Sequence, residues 1–248
     1  MFAVETRGDV DVVRMDDGKV NVMNANFVAR FAKTWRQVHA GGRAVVLAGN
    51  DRAFSAGLDL KALPLMSEER TVTFARDFMR LFRDVLAHPR PVVALVDGPA
   101  IAGGAVLALS ADLRVATPRA KIGLTEVPVG IPFPKPVLDL ARSRLPREEH
   151  APALLRGLVR EGDRCVADGW VHEMAPSADA LDKAVALAQE LAEMNPLAYR
   201  GAKQDMSKWV IDSFDDFEKN GAEAWAAALM RPETREALAR TLDRLARK

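Results

Sequence analysis

The 248-residue sequence predicts an α/β core that is followed by a helical C-terminal part. Two runs, 44–48 and 92–96, contain only valine, leucine and alanine, which is typical of parallel strands buried on both faces. Segments with helical spacing of apolar residues separate these runs, so strands and helices alternate along the chain. From Pro132 onward most segments favour helix. The core is therefore predicted to cover residues 1–190, and the C-terminal helical region residues 191–248.

Local signals define the individual elements. Asn24 and Ser67 are candidate N-caps of two helices, and Pro89 follows the end of the second helix. Gly8-Asp9 separates two alternating segments that predict a hairpin. Strands are predicted at 2–7, 10–15, 44–48, 92–96, 113–117, 121–123 and 170–174. Helices are predicted at 25–39, 67–87, 103–111, 134–144, 147–156, 163–168, 177–193, 196–212, 214–229 and 232–246.

Composition argues against several classes of protein. A net charge of +1 gives no reason to expect a nucleic-acid partner. The single cysteine, Cys165, excludes an internal disulfide and cysteine-rich zinc sites, and it favours a reducing compartment. No apolar run reaches the roughly 18–20 residues of a membrane span, and the N-terminal segment lacks the apolar stretch of a signal peptide. We therefore expect a cytoplasmic protein without a membrane partner or a bound metal.

Two turns of small residues directly follow the two buried strands. The first spans 52–60 and the second spans 97–105, and each is predicted to open a helix. Two such turns at the ends of parallel strands can direct two backbone N–H groups at one point, as an oxyanion requires. Gly103 would add the unpaired N–H and the positive dipole of a helix start. Tight packing of that helix on the sheet is the alternative explanation of Gly103-Gly104.

Glu126 is the candidate acid or base. It lies in the largely apolar stretch 122–132, between Leu124 and Val127 and before Pro128. Apolar surroundings raise the pKa of a carboxyl group by desolvation, which makes it a usable base near neutral pH. A glutamate in a loop that points to solvent is the alternative.

These segments resemble the crotonase, or enoyl-CoA hydratase/isomerase, superfamily. The resemblance rests on "FSAGLDL" at 54–60, "VDGPAIAGGAVLALSADLRVA" at 96–116 and "IGLTEVPVGIP" at 122–132. "ADGWVHEM" at 167–174 and "NPLAYRGAKQ" at 195–204 fit its later segments. The resemblance covers most of residues 1–210 and implies a spiral of ββα units with a C-terminal helical trimerisation region. It also implies an acyl-CoA substrate, no separate cofactor because CoA is part of the substrate, and a homotrimer or dimer of trimers.

The resemblance also implies the roles of individual residues. The amides of Leu58 and Gly103 would form the oxyanion hole for a thioester carbonyl, and Glu126 would carry the proton. Lys61 would approach a CoA phosphate, although a solvated lysine on a helix surface is an equal alternative. The residues implied for the CoA site are Ala56, Leu58, Asp59 and Lys61.

One departure from the family pattern bears on the reaction. Hydratases of this family carry a second glutamate at the position of Val106, whereas the monofunctional Δ3,Δ2-enoyl-CoA isomerases carry an apolar residue there. A single carboxylate can move a proton between two carbons of one substrate. The resemblance therefore implies an isomerase that uses Glu126 alone. The alternatives are a hydratase or another crotonase-fold lyase or thioesterase, and a non-catalytic acyl-CoA-binding protein.

Four aromatic residues of the C-terminal part are expected to pack helices or to form subunit interfaces. Lining of an acyl pocket is the alternative interpretation of these residues. They are Trp209, Phe214, Phe217 and Trp225.

Overall fold

A six-stranded sheet forms the base of the fold. The computed structural model describes residues 2–246, so Met1 and residues 247–248 of the predicted helical region lie outside the described part. The strands are β1 (Phe2–Arg7), β2 (Val10–Met15), β3 (Val22–Met23), β4 (Ala44–Ala48), β5 (Gly57–Leu58), β6 (Val92–Val96), β7 (Pro99–Ile101), β8 (Leu113–Ala116), β9 (Lys121–Gly123), β10 (Arg160–Glu161) and β11 (Glu173–Met174).

The order of strands in the main sheet is β1-β2-β4-β6-β8-β11. The first pair is the predicted antiparallel hairpin, and every later neighbour pair is parallel. Two small sheets, β10-β9-β7 and β3-β5, lie beyond the ends of the central strands. The predicted α/β class and its parallel core are therefore confirmed.

Helices cover both faces of this sheet. They are α1 (Ala25–Gly41), α2 (Glu68–Leu86), α3 (Gly103–Ser110), α4 (Glu126–Val129), α5 (Lys135–Arg144), α6 (Arg147–Leu154), α7 (Arg164–Ala167), α8 (Ala180–Ala192), α9 (Pro196–Asp216), α10 (Ala222–Met230) and α11 (Pro232–Ala246). Both predicted caps are confirmed, because the side chains of Asn24 and Ser67 accept hydrogen bonds from the N–H groups of Phe27 and Arg70. No helix within residues 2–246 is sufficiently long and apolar to span a membrane.

The sheet separates two apolar layers because successive strand residues point to opposite faces. On one face, Val12, Val46 and Val93 pack against α8. On the other face, Val45 and Ala94 belong to the larger cluster that includes α1, α2 and α3. The uninterrupted apolar runs of the sequence thus reflect burial on both faces of the sheet.

The first small-residue turn does not open a helix as predicted. Its residues Gly57 and Leu58 form β5, which pairs with β3, and a 3₁₀ turn at Leu63–Leu65 precedes α2. Lys61 consequently lies in an exposed turn rather than on a helix. Backbone pairing with β3, more than thirty residues earlier in the chain, stabilises this extended conformation together with the hydrogen bond from the Gly57 N–H to the Ser55 hydroxyl, and the local sequence carries no signal for that pairing.

Two predictions for the C-terminal part are also wrong. The strand predicted at 170–174 is reduced to Glu173–Met174, because the Trp170 carbonyl accepts from the Arg114 side chain at 2.6 Å and the Val171 N–H donates to the Cys165 carbonyl at 2.9 Å instead of pairing in the sheet. The break predicted near residue 213 lies instead at a π-helical turn, Phe217–Gly221, between α9 and α10. The sequence analysis also missed the short elements β3, β7, β10 and α4.

A buried ion pair joins the C-terminal helices to the sheet. Lys203 of α9 places its Nζ 2.7 Å from Oδ2 of Asp112, which also accepts hydrogen bonds from the Tyr199 hydroxyl and the Val92 N–H. Helix α8 extends to Ala192, two residues past the predicted boundary at 190. The division into 1–190 and 191–248 stays a prediction.

We predict opposite effects for two glycine-to-alanine changes. A Cβ on Gly104 would lie 2.1 Å from the Ser55 carbonyl oxygen, whereas a Cβ on Gly201 within α9 meets no atom within 4 Å. Gly104→Ala should therefore lower the free energy of unfolding by about 1–3 kcal/mol through overpacking. Gly201→Ala should raise it by about 0.5–1 kcal/mol, since glycine is unfavourable inside a helix. Chemical denaturation measures both, and equal effects would contradict the proposed close packing.

Candidate active site

The two small-residue turns touch each other through glycine. A Cβ on Gly57 would lie 2.5 Å from the Ile101 carbonyl oxygen and 2.8 Å from the Gly103 nitrogen, and Gly57 also has a φ of +78°. Both the space and the backbone conformation therefore require glycine. The two turns therefore meet, which brings strand β5 against the start of α3, and the convergence of their two N–H groups stays a prediction.

Buried polar groups hold the first turn in place. The side-chain amide of Asn21 donates to the carbonyls of Met15, Ala53 and Phe54, at 3.0, 3.2 and 3.1 Å. The Ser55 hydroxyl donates to the Asn21 carbonyl at 2.6 Å and accepts from the Gly57 N–H at 3.1 Å. These bonds fix the backbone immediately before Leu58. The sequence analysis did not single out either Asn21 or Ser55.

The second turn contains an unusual backbone conformation. Ala102, the residue before α3, has a φ of +50° and a ψ of −118°, although it is not glycine. Its N–H donates to the Gly123 carbonyl at 2.8 Å, which ties the turn to β9. Strain of this kind persists only where the surroundings enforce it, and it concentrates at functional sites. Here it sets the direction of the next N–H, that of Gly103, which has no acceptor inside α3.

A cavity of about 320 Å³ opens beside the two turns. It brings together Leu58, Gly103 and Glu126, and Ala56 also contributes to its wall. Its lining is almost wholly apolar: Ala56, Leu58, Leu60, Phe78, Met79, Phe82, Ile101, Ala102, Gly103, Val106, Thr125, Glu126, Val129, Ile131, Pro134, Val137, Trp225 and Thr241.

Asp59 and Lys61 are not part of the cavity wall. The Asp59 carboxylate accepts a hydrogen bond from the Lys61 N–H at 3.1 Å, which closes the turn after β5. Lys61 is exposed beside this turn. Both residues flank the cavity-lining Leu58 and Leu60 along the chain, and their predicted part in CoA binding stays a prediction.

Glu126 is buried at the start of α4, with 9% of its surface exposed. Burial raises the pKa of its carboxyl group from the ordinary value of 4.5 to about 8. Its Oε2 atom has no hydrogen-bond partner within the described chain. An unpartnered buried carboxyl oxygen is rare and needs an explanation, and reaction with a ligand in the cavity provides one. The solvent-facing alternative for Glu126 is therefore wrong.

The remaining cavity residues come from the two turns, from α2, from the segment 125–137 and from the C-terminal helices. Val106 does line the cavity, as its position in α3 suggested. Among the four C-terminal aromatic residues, Trp225 lines the cavity and the other three do not, so a place in an acyl pocket stays a prediction for Trp225. Thr241 reaches the cavity from α11 and is 5% exposed. No local sequence signal marks Thr241, because its position depends on how α11 packs against α4.

Known proteins share both the sequence and the fold. The family model for enoyl-CoA hydratase/isomerase matches residues 5–222. A Thermus thermophilus protein, provisionally named an enoyl-CoA hydratase, is 42% identical over 211 residues, which cover 82% of each chain. Enoyl-CoA isomerase/hydratase fer4 of Mycosarcoma maydis is 34% identical over 167 residues, covering 66% of this chain and 61% of that protein.

Two solved structures support the same assignment at the level of fold. Enoyl-CoA hydratase EchA3 of Mycobacterium ulcerans has 29% identity and a TM-score of 0.86, covering 90% of this chain and 98% of its own. Human mitochondrial Δ3-Δ2-enoyl-CoA isomerase has 23% identity and a TM-score of 0.93, covering 99% and 98%. The fold is that of the crotonase superfamily of acyl-CoA enzymes. The chain belongs to its enoyl-CoA hydratase/isomerase family.

The raised pKa of Glu126 predicts how the stability of the fold depends on pH. Because the folded-state pKa of about 8 lies above the ordinary 4.5, the folded protein holds a proton that the unfolded chain has released between these values. The stability contributed by the neutral carboxyl group is thus fully present below pH 4.5 and is lost as pH rises through 8. From pH 5 to 7, the unfolding free energy of the ligand-free protein should fall relative to Glu126→Gln by about 1.4 kcal/mol per pH unit.

Denaturation of both proteins at several pH values measures this difference. Glu190→Gln, the same change at an exposed residue of α8, is the control and should show no comparable slope. A constant difference between wild type and Glu126→Gln across this range would contradict the raised pKa.

Proposed function

We propose that the protein is a Δ3,Δ2-enoyl-CoA isomerase that uses Glu126 as its single proton carrier. One observation supports this most strongly: Glu126 is the sole titratable side chain among the described residues that line the cavity. Val106 lines the same cavity and can neither donate nor accept a proton. Two carboxylates would assist the addition of water. A cavity with a single carboxyl group therefore fits a reaction that moves one proton within one substrate better than it fits hydration.

The proposed reaction has two proton transfers. The Glu126 carboxylate removes a proton from the α-carbon of a 3-enoyl thioester, and the electrons of that C–H bond move into the thioester to form an enolate. The N–H groups of Leu58 and Gly103 donate hydrogen bonds to the enolate oxygen. The protonated Glu126 then returns the proton to the γ-carbon, and the double bond of the product lies between the α- and β-carbons.

The segment around Ala56–Lys61 is the proposed CoA-binding region. Ala56 and Leu58 line the cavity, which supports a role for their backbone groups in binding the pantetheine end of the substrate. Lys61 is exposed and free to approach a CoA phosphate. In this proposal CoA enters with the substrate, and the reaction needs no separate cofactor or metal.

Hydration is the second candidate. The hydroxyl-bearing residues Thr125 and Thr241 line the cavity together with Glu126, and such groups are able to hold a water molecule. Several relatives also carry hydratase names. Isomerisation remains the first proposal because a threonine hydroxyl cannot act as the second carboxylate at neutral pH.

We predict that purified protein isomerises 3-enoyl-CoA esters faster than it hydrates 2-enoyl-CoA esters. For matched pairs of the two ester types in H₂¹⁸O, ultraviolet absorbance of the conjugated thioester measures double-bond migration, and mass spectrometry of ¹⁸O uptake measures water addition. Faster hydration would establish the hydratase alternative. Tight binding of both esters without turnover would establish a non-catalytic acyl-CoA-binding protein.

We predict that Glu126→Gln lowers the isomerase kcat by ~10²–10⁴-fold while CoA-ester affinity changes little. The amide keeps the shape of the side chain but cannot accept the α-proton, and no other cavity side chain replaces it. Because the free carboxyl has a pKa of about 8, wild-type kcat/KM should rise with pH until about that value. Near-normal turnover by Glu126→Gln would refute the assignment, and Glu190→Gln serves as the matched control.

The proposed assembly is a homotrimer or a dimer of trimers in the cytoplasm. The C-terminal helices support this because α9 exposes large apolar side chains: Leu197, Met206 and Trp209 are 82%, 69% and 48% exposed. Met206 and Trp209 are three residues apart and share one face of α9, and an exposed apolar patch of this kind marks an interaction surface. The family resemblance described above also implies a C-terminal helical region that forms trimers.

We predict that Trp209→Asp shifts the protein to smaller species, because a charge would be buried at the subunit contact. Leu65→Asp is the matched control, since Leu65 is 85% exposed on a different element. Sedimentation equilibrium at micromolar concentration measures both. A wild-type monomer, or equal behaviour of the two variants, would contradict this proposed contact.

A further inference from the structure

Trp225 closes the cavity between two of its walls. On one side, α10 packs along α2, whose Phe78 and Phe82 line the cavity. On the other side, the Trp225 indole N–H donates to the Pro132 carbonyl at 2.7 Å, within the connection between α4 and α5. The indole ring therefore bridges the α2 wall and the wall formed around Ile131 and Pro134.

Several contacts keep the indole ring in this position. The Phe217 ring meets it edge to face, with ring centroids 6.3 Å apart. Phe217 belongs to the π-helical turn before α10, and interruptions of this type frequently occur at functional sites. Arg76 and Arg80 of α2 pair with Glu223 and Glu218, which fasten α10 and the turn to α2. These contacts fix the position of α10, so the indole ring of Trp225 is held in place against the cavity.

We propose that Trp225 is the end wall of the acyl pocket and limits the enzyme to medium-chain acyl groups. The proposal rests on the proposed function in that the cavity must receive the acyl part of a CoA ester. At the ~30 Å³ that a water-sized group occupies in a liquid, a cavity of about 320 Å³ holds about ten non-hydrogen atoms. After allowance for the thioester sulfur and oxygen, an acyl group of about eight carbons fills it.

Binding of saturated acyl-CoA esters tests this limit without any need for turnover. Affinity should rise about fourfold for each added methylene while the chain enters the apolar cavity. The rise should stop near eight carbons in the wild type, where the chain meets Trp225. Titration calorimetry with even-numbered esters from four to sixteen carbons, below their micelle concentrations, measures the chain length at which the rise stops.

The variant Trp225→Ala removes the wall, and the rise in affinity should then continue for two to four further carbons. An ester of twelve carbons should consequently bind at least tenfold more tightly to the variant than to the wild type. Trp225→Leu retains more apolar volume and should show a smaller extension in the same direction. It keeps the test valid if the alanine variant does not fold.

Trp35→Leu is the matched control. Trp35 is also buried, and its indole N–H also donates to a backbone carbonyl, that of Asp84 at 3.2 Å, but it does not line the cavity. This variant should keep the wild-type chain-length limit even if it is less stable. An unchanged limit in folded Trp225→Leu, or an equal extension in Trp35→Leu, would overturn the proposal.

The binding data also separate this inference from the proposed isomerase activity. A chain-length limit that moves with Trp225, in a protein without isomerase turnover, would support the wall and refute the proposed reaction. Isomerase turnover with a chain-length limit that stays the same in the Trp225 variants would support the proposed reaction and refute the wall. No affinity for acyl-CoA esters of any length would overturn both.

Discussion

Two backbone turns meet at glycines, which have no side chains, and this contact is the constraint on which the rest of the site depends. Gly57 fits against the Gly103 nitrogen, and Gly104 fits against the Ser55 carbonyl, at distances that exclude a Cβ. Parallel pairing of β4 and β6 brings both turns to the same edge of the sheet. The contact then sets the position of the first N–H of α3. The strained Ala102 in the second turn shows that the packing around it enforces the local geometry.

Burial connects this backbone geometry to the proposed chemistry. The apolar cavity surrounds Glu126, and burial there raises the pKa of its carboxyl group to about 8. A neutral buried carboxyl is less costly than a buried carboxylate, but a base must lose its proton before it can act. The same desolvation would stabilise the protonated form of Glu126 between the two proton transfers. A proton carrier between two carbons of one substrate requires this form.

The sequence was sufficient for the parts that depend on local patterns. Buried strands, the caps at Asn24 and Ser67, and the order of strands and helices all follow from periodicity and end signals. The parts that depend on distant packing were not predictable in this way. The pairing of β5 with β3 turned an expected helix start into an extended segment, and Trp225 and Thr241 reach the cavity only because the C-terminal helices fold back over α2 and α4.

The central claim is that one shielded carboxylate carries the proton between two carbons, and isotope transfer tests it most directly. A 3-enoyl-CoA ester deuterated at the α-carbon is converted in H₂O, and NMR measures deuterium at the γ-carbon of the product. The account predicts that a measurable fraction of the label reaches the γ-carbon, because the cavity protects protonated Glu126 from exchange with water. Complete loss of the label to solvent at the earliest turnovers, or equal transfer by Glu126→Gln, would contradict it.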